Sequence, residues 1–107
     1  MLNINPERLQ TTAHEAFNRA QGSCRWQSAI TRALQLLRDS VYWHPTADGA
    51  LLILSPDSSE IYEASGQRCD RIDGERRVAC KAFAQNQPCK HRAAWKLLQR
   101  YNEDRGQ

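Results

Sequence analysis

Three cysteines and a histidine, Cys69, Cys80, Cys89 and His91, fall within residues 69–91, and any fold of this chain has to accommodate them. Free cysteines are commonly small buried hydrophobes, but the segment around these four is polar and basic, which suits an apolar interior poorly. The opening run MLNINPERLQ lacks the basic-then-apolar pattern of a secretory signal, and no stretch approaches the roughly 18 consecutive apolar residues of a membrane span. On this reading the chain is expected to be cytoplasmic and away from membranes. Reduction in that compartment leaves cysteines as thiols or metal ligands rather than disulfides. Zinc takes three Cys and one His in closed, four-coordinate structural sites. The residues therefore point to one structural zinc ion on Cys69, Cys80, Cys89 and His91. Cys24 on a predicted helix and His44 on a predicted strand are the alternatives for the place of Cys69.

Length supports the need for such a cross-link. With 107 residues and 40% apolar content, the chain fits one domain, residues 1–107, whose core gives only marginal stability. Charge is unevenly divided along it. Between Gly66 and Tyr101 nine Lys or Arg face three acids, a net of +6, which leaves −3 for the rest of a chain whose total is +3. The basic character thus coincides with the cysteine-bearing segment.

Helical spacing dominates residues 1–40. Asn5-Pro6-Glu7 reads as a helix start, with a capping side chain, a proline preorganised for the first turn and an acid at the positive end of the dipole. Leu9, Ala13, Ala16, Phe17 and Ala20 then form one apolar face, ending at Gln21-Gly22. Ser23 caps a second helix with a stripe of Trp26, Ala29, Ile30, Ala33, Leu34 and Leu37, so the two predict a helical hairpin with a shared seam. Over residues 41–65 the period changes to that of strands, in VYWH, ALLIL and EIYEA, separated by TADG and SPDSS, and a small β-meander is expected. In residues 66–103, RCDRI and RRVAC flank Asp73-Gly74 and predict a further hairpin with Cys69 and Cys80 at its outer end. That hairpin is expected to extend the sheet. Beyond Pro88 and Cys89, His91, Ala94, Trp95, Leu98 and Tyr101 mark a C-terminal helix. The fold class expected is α+β: an N-terminal helical hairpin, a small antiparallel sheet, and a zinc-binding β-hairpin followed by a C-terminal helix.

The segment CKAFAQNQPCKHRAAWKLLQRY resembles a SWIM-type zinc finger, a family whose pattern is Cys-x-Cys, a variable gap, then Cys-x-His running into a helix. Cys89-Lys90-His91, followed by Arg92-Ala93-Ala94 and a Leu-bearing helix, matches the second half. In the first half Cys80 is present, but Ala82 stands where the pattern has its second cysteine. Cys69, on the partner strand of the hairpin, is the residue expected to replace it. The resemblance covers roughly the last 40 residues. It implies either nucleic-acid binding or protein interaction, since both occur in the family.

Basic residues around the finger suit phosphate contacts, and Arg76, Arg77, Lys90, Arg92, Lys96 and Arg100 are the nucleic-acid-binding candidates. A solvated charged face is the plain alternative. Trp95 and Tyr101 can stack on bases, but their spacing with Leu98 places them in a core first. A protein-interaction adaptor, or a subunit of a larger complex, is the second functional class. Catalysis is not expected: Asp70, Asp73 and Glu75 flank a tight turn, Ser58-Ser59 lacks a nucleophile's context, and four protein ligands leave zinc no open position. Loss of a ligand at Cys89 or His91 is expected to release zinc and to disorder the chain beyond about residue 66 while the helical hairpin persists.

Overall fold

In the computed structural model, backbone is described for residues 4–40, 42–55 and 60–105. Val41, the first residue of VYWH, and Ser58-Ser59 in the expected SPDSS turn lie outside the described residues. Two helices come first, α1 (Pro6–Arg19) and α2 (Cys24–Asp39). Asn5 accepts hydrogen bonds from the Glu7 and Arg8 amides, and Ser23 accepts one from Trp26, so both expected caps are formed. Gly22, at φ +92°, turns the chain between them, a left-handed conformation that glycine adopts without a Cβ penalty.

Five strands follow as an antiparallel meander in chain order: β1 (Trp43–Pro45), β2 (Leu51–Leu54), β3 (Ile61–Ala64), β4 (Cys69–Asp73) and β5 (Arg76–Ala79). The sheet runs without a break into the cysteine-bearing hairpin, as expected from its sequence. A four-residue helix, α3 (Lys81–Ala84), and a long one, α4 (Lys90–Arg105), complete the chain. Helix α3 is not among the elements expected from the sequence. Its signal is the Lys-Ala-Phe-Ala run that Cys80 caps, with Asn86 at φ +57° just beyond its end. The whole is α+β, with α1, α2 and α4 gathered together.

Alternation along the strands separates two faces. Trp43, Leu51 and Ile53 turn inward, where they join Leu9, Ala13, Ala29, Ala33, Leu36, Leu37, Ala93, Ala94, Leu97, Leu98 and Tyr101 in the main core. α4 makes its most extensive helix contacts with α2, and small residues explain the closeness: Ala29, Ala33 and Ala94 are each 0% exposed. The Tyr101 hydroxyl accepts from the Asn5 amide at 3.1 Å, tying the end of α4 to the start of α1. Phe17, expected on the apolar face of α1, is instead exposed, because Ala13 and Ala16 already supply the seam. Leu36, which the sequence stripe omitted, takes a buried place on α2.

A second, smaller cluster lies beyond this core: Ala64, Cys69, Cys80 and Cys89, with Tyr62, Ala82 and Phe83 packed around it. Trp95 borders both clusters. Its indole N–H donates to the Gly49 carbonyl at 2.7 Å, and its ring lies so close to Gly66 that a Cβ there would stand 2.9 Å from Cζ3. One side chain of α4 thus clamps the β1–β2 turn and packs against the β3–β4 turn.

Candidate metal centre

The register of the sheet places the first two thiols. Asp70 pairs with Ala79, so Cys69 lies opposite Cys80, whose N–H donates to the Cys69 carbonyl at 2.9 Å. Two-residue spacing between β4 and β5 requires a tight turn, and Gly74 at φ +61° supplies it. The other two residues come from the start of α4: Cys89 immediately precedes the helix and His91 is its second residue. One donor atom from each of Cys69, Cys80, Cys89 and His91 lies within 4.8 Å of the other three. A tetrahedron of about 2.3 Å metal–sulfur bonds has edges of about 3.8 Å, so the four donors are already gathered on the scale of one ion.

All four residues are buried, and the three cysteines carry free thiols. Within the cluster both ring nitrogens of His91 are shut away from water and have no hydrogen-bond partner. A buried imidazole without partners costs of order 1 to 3 kcal/mol per unsatisfied group, and a cation accepting the lone pair of one nitrogen removes part of that cost. The thiols are equally unsuited to stand alone. Hydrogen bonding to Cys80 and Cys89, with burial, pushes the Cys69 thiol up. Cys80 is held below the usual thiol range by the hydrogen bonds it accepts from Cys69 and Cys89.

Backbone amides support the sulfurs. Phe83 N–H points at Cys80 Sγ at 3.4 Å and Arg92 N–H at Cys89 Sγ at 3.3 Å. Each bond runs from residue i+3 to the cysteine that starts a helix, where the amides are otherwise unpaired. Tyr62 covers the imidazole: its ring stacks on His91 with centroids 3.9 Å apart and planes 15° apart. The Tyr62 hydroxyl donates to Glu60 at 2.9 Å, and burial, aided by that bond, pushes its pKa up to about 12. Nothing in the sequence marks Tyr62, because only the β3–β4 register and the docking of α4 bring it to His91.

Cys24 and His44, the alternatives for the fourth ligand, are both exposed and stand apart from the cluster. Ala82, at the position of the missing cysteine, packs against the cluster as an apolar wall. Compared with known proteins, the chain matches no family model, no curated protein and no solved structure. The Cys3His geometry therefore rests on this chain alone.

The six basic candidates sit in different surroundings. Arg92 turns inward: its guanidinium donates to the Gly66 carbonyl at 2.7 Å and lies over the rings of Phe83 and Trp26. Arg77 pairs with Glu63 across the sheet, and Arg76 is exposed on the edge strand. Lys90 opens α4. Lys96 sits 4.1 Å over the Trp26 ring, and Arg100 follows one turn later. The acids weighed for catalysis do not converge. Asp70 is buried and paired with Arg68, whereas Asp73 and Glu75 are exposed at the turn. Ser58-Ser59 falls outside the described residues, and no described helix is long and apolar enough to cross a membrane.

Proposed function

We propose that the chain is a small zinc-binding module of the SWIM type, with one structural zinc on Cys69, Cys80, Cys89 and His91, acting in the cytoplasm by binding nucleic acid and not by catalysis. The observation that carries the metal is the partnerless, buried imidazole of His91 among three thiols. Sulfur-rich donor sets with one imidazole favour zinc over harder cations, and four protein donors leave no position for a substrate. When bound, the ion supplies folding energy. It joins β4, β5 and the start of α4 where apolar burial is thin. The excess of basic residues between Gly66 and Tyr101 supports nucleic acid as the partner.

Native mass spectrometry of the whole chain tests the metal: one zinc per chain is expected, lost in Cys69→Ser and in His91→Ala. A chain without zinc, or a Cys69→Ser variant that keeps it, overturns the assignment. Retardation of labelled nucleic acid at rising salt tests the partner, with binding that weakens steeply as salt increases.

One observation favours protein interaction as a second reading. The face of the sheet turned away from the helices carries Leu52, Leu54, Ile61 and Ile72 on neighbouring strands, and Ile61 and Tyr42 are 41% and 44% exposed. Absence of nucleic-acid binding at low salt favours this reading.

A further inference from the structure

Three cations from two distant parts of the sequence meet at one recess. Arg19, in the last turn of α1, joins Lys96 and Arg100, on successive turns of α4, around a cavity of about 250 Å³. Its floor is apolar, formed by Ala16, Ala20, Ile30, Ala93 and Leu97, and Trp26 closes one side. Among the described residues no acid lines it, although Glu15 and Glu103 line the adjoining outer recess, which the same three cations also border. None of the three cations pairs with a carboxylate among the described residues. Burial, with Arg92 and Arg100 beside it, holds Lys96 below the usual lysine range. Three arginines at the sheet differ: Arg68, Arg71 and Arg77 are matched by Asp70, Glu60 and Glu63.

We propose that this recess binds single-stranded nucleic acid, with Arg19, Lys96 and Arg100 holding backbone phosphates and an unstacked base resting on the apolar floor. The inference rests on the nucleic-acid reading above and relocates the contact from the finger hairpin to the junction of α1, α2 and α4. Charge selects the phosphates. The floor selects the single strand, because a duplex keeps its bases stacked inside and offers the recess only its charged exterior.

The test uses the full, zinc-loaded chain with fluorescein-labelled oligothymidine, oligouridine and a duplex of equal length, titrated across a salt series. Tighter binding of either single strand than of the duplex is expected, the two strands distinguishing DNA from RNA. Three phosphate contacts give a slope of log K against log salt of about −2. Arg19→Ala, Lys96→Gln and Arg100→Ala should each weaken binding several-fold and make that slope shallower by about 0.7, whereas Arg76→Ala and Arg77→Ala should leave both unchanged. Arg19 is exposed near the end of its helix, so its variant keeps the fold, and circular dichroism checks the other two. Loss of binding in the Arg76 and Arg77 variants with the other three silent overturns the recess but leaves nucleic-acid binding standing. Equal or tighter binding of the duplex also overturns it. No binding of any probe at low salt removes both.

Discussion

Tyr62 and His91 lie ring to ring, 3.9 Å between centroids, across the gap between β3 and the first turn of α4. The contact fixes the plane of an imidazole that has no hydrogen bond of its own. Groups that orient a metal ligand commonly contribute about 10- to 100-fold to metal affinity. Tyr62→Ala is therefore expected to weaken zinc binding by roughly that factor, while Tyr62→Phe, which keeps the ring and loses only the bond to Glu60, stays close to the parent. Competition titration with a chromogenic chelator measures both, and equal affinities for parent and Tyr62→Ala speak against an orienting role.

Metal removal should act on part of the C-terminal segment, not all of it. Disorder beyond about residue 66 is the expectation from sequence, but Ala93, Ala94, Leu97, Leu98 and Tyr101 anchor α4 in the main core. Each large apolar side chain buried there contributes about 1.5 to 3 kcal/mol. Chelation is expected to abolish hydrogen-exchange protection in β4, β5 and the first turn of α4, and to spare α1, α2 and the later turns of α4. Uniform loss of protection through α4 contradicts this division.

Gly66 has no room for a side chain. A Cβ would meet the Trp95 ring at 2.9 Å, and the carbonyl of Gly66 itself already accepts from Arg92 at 2.7 Å. Gly66→Ala should destabilise the fold by about 1 to 3 kcal/mol, the usual cost of overpacking, as read by denaturant unfolding. In a Trp95→Leu background the added cost of Gly66→Ala should shrink, since the two act on one contact.

The α2–α4 seam makes a matching demand. Ala94 is 0% exposed, so Ala94→Leu forces the helices apart and should also cost about 1 to 3 kcal/mol. Ala84→Leu, at an exposed position on α3, is expected to change stability by less than about 0.5 kcal/mol. Comparable losses for the two indicate that the seam is looser than its burial implies.

Local rules written into the sequence determined the elements and the ligand types: Asn5 and Ser23 capped helices, strand alternation from Trp43 to Ala64 gave the meander, and Gly74 closed the hairpin that sets Cys69 across from Cys80. These depend on neighbours a few residues apart, which a sequence displays. Tertiary structure alone decided that Tyr62 faces His91, that Arg92 is drawn inward to Gly66, and that Arg19 shares a recess with Lys96 and Arg100. Each of these joins residues far apart in the chain, and what joins them is the docking of α4 against α2 and the sheet, a packing of small side chains whose geometry no local pattern encodes.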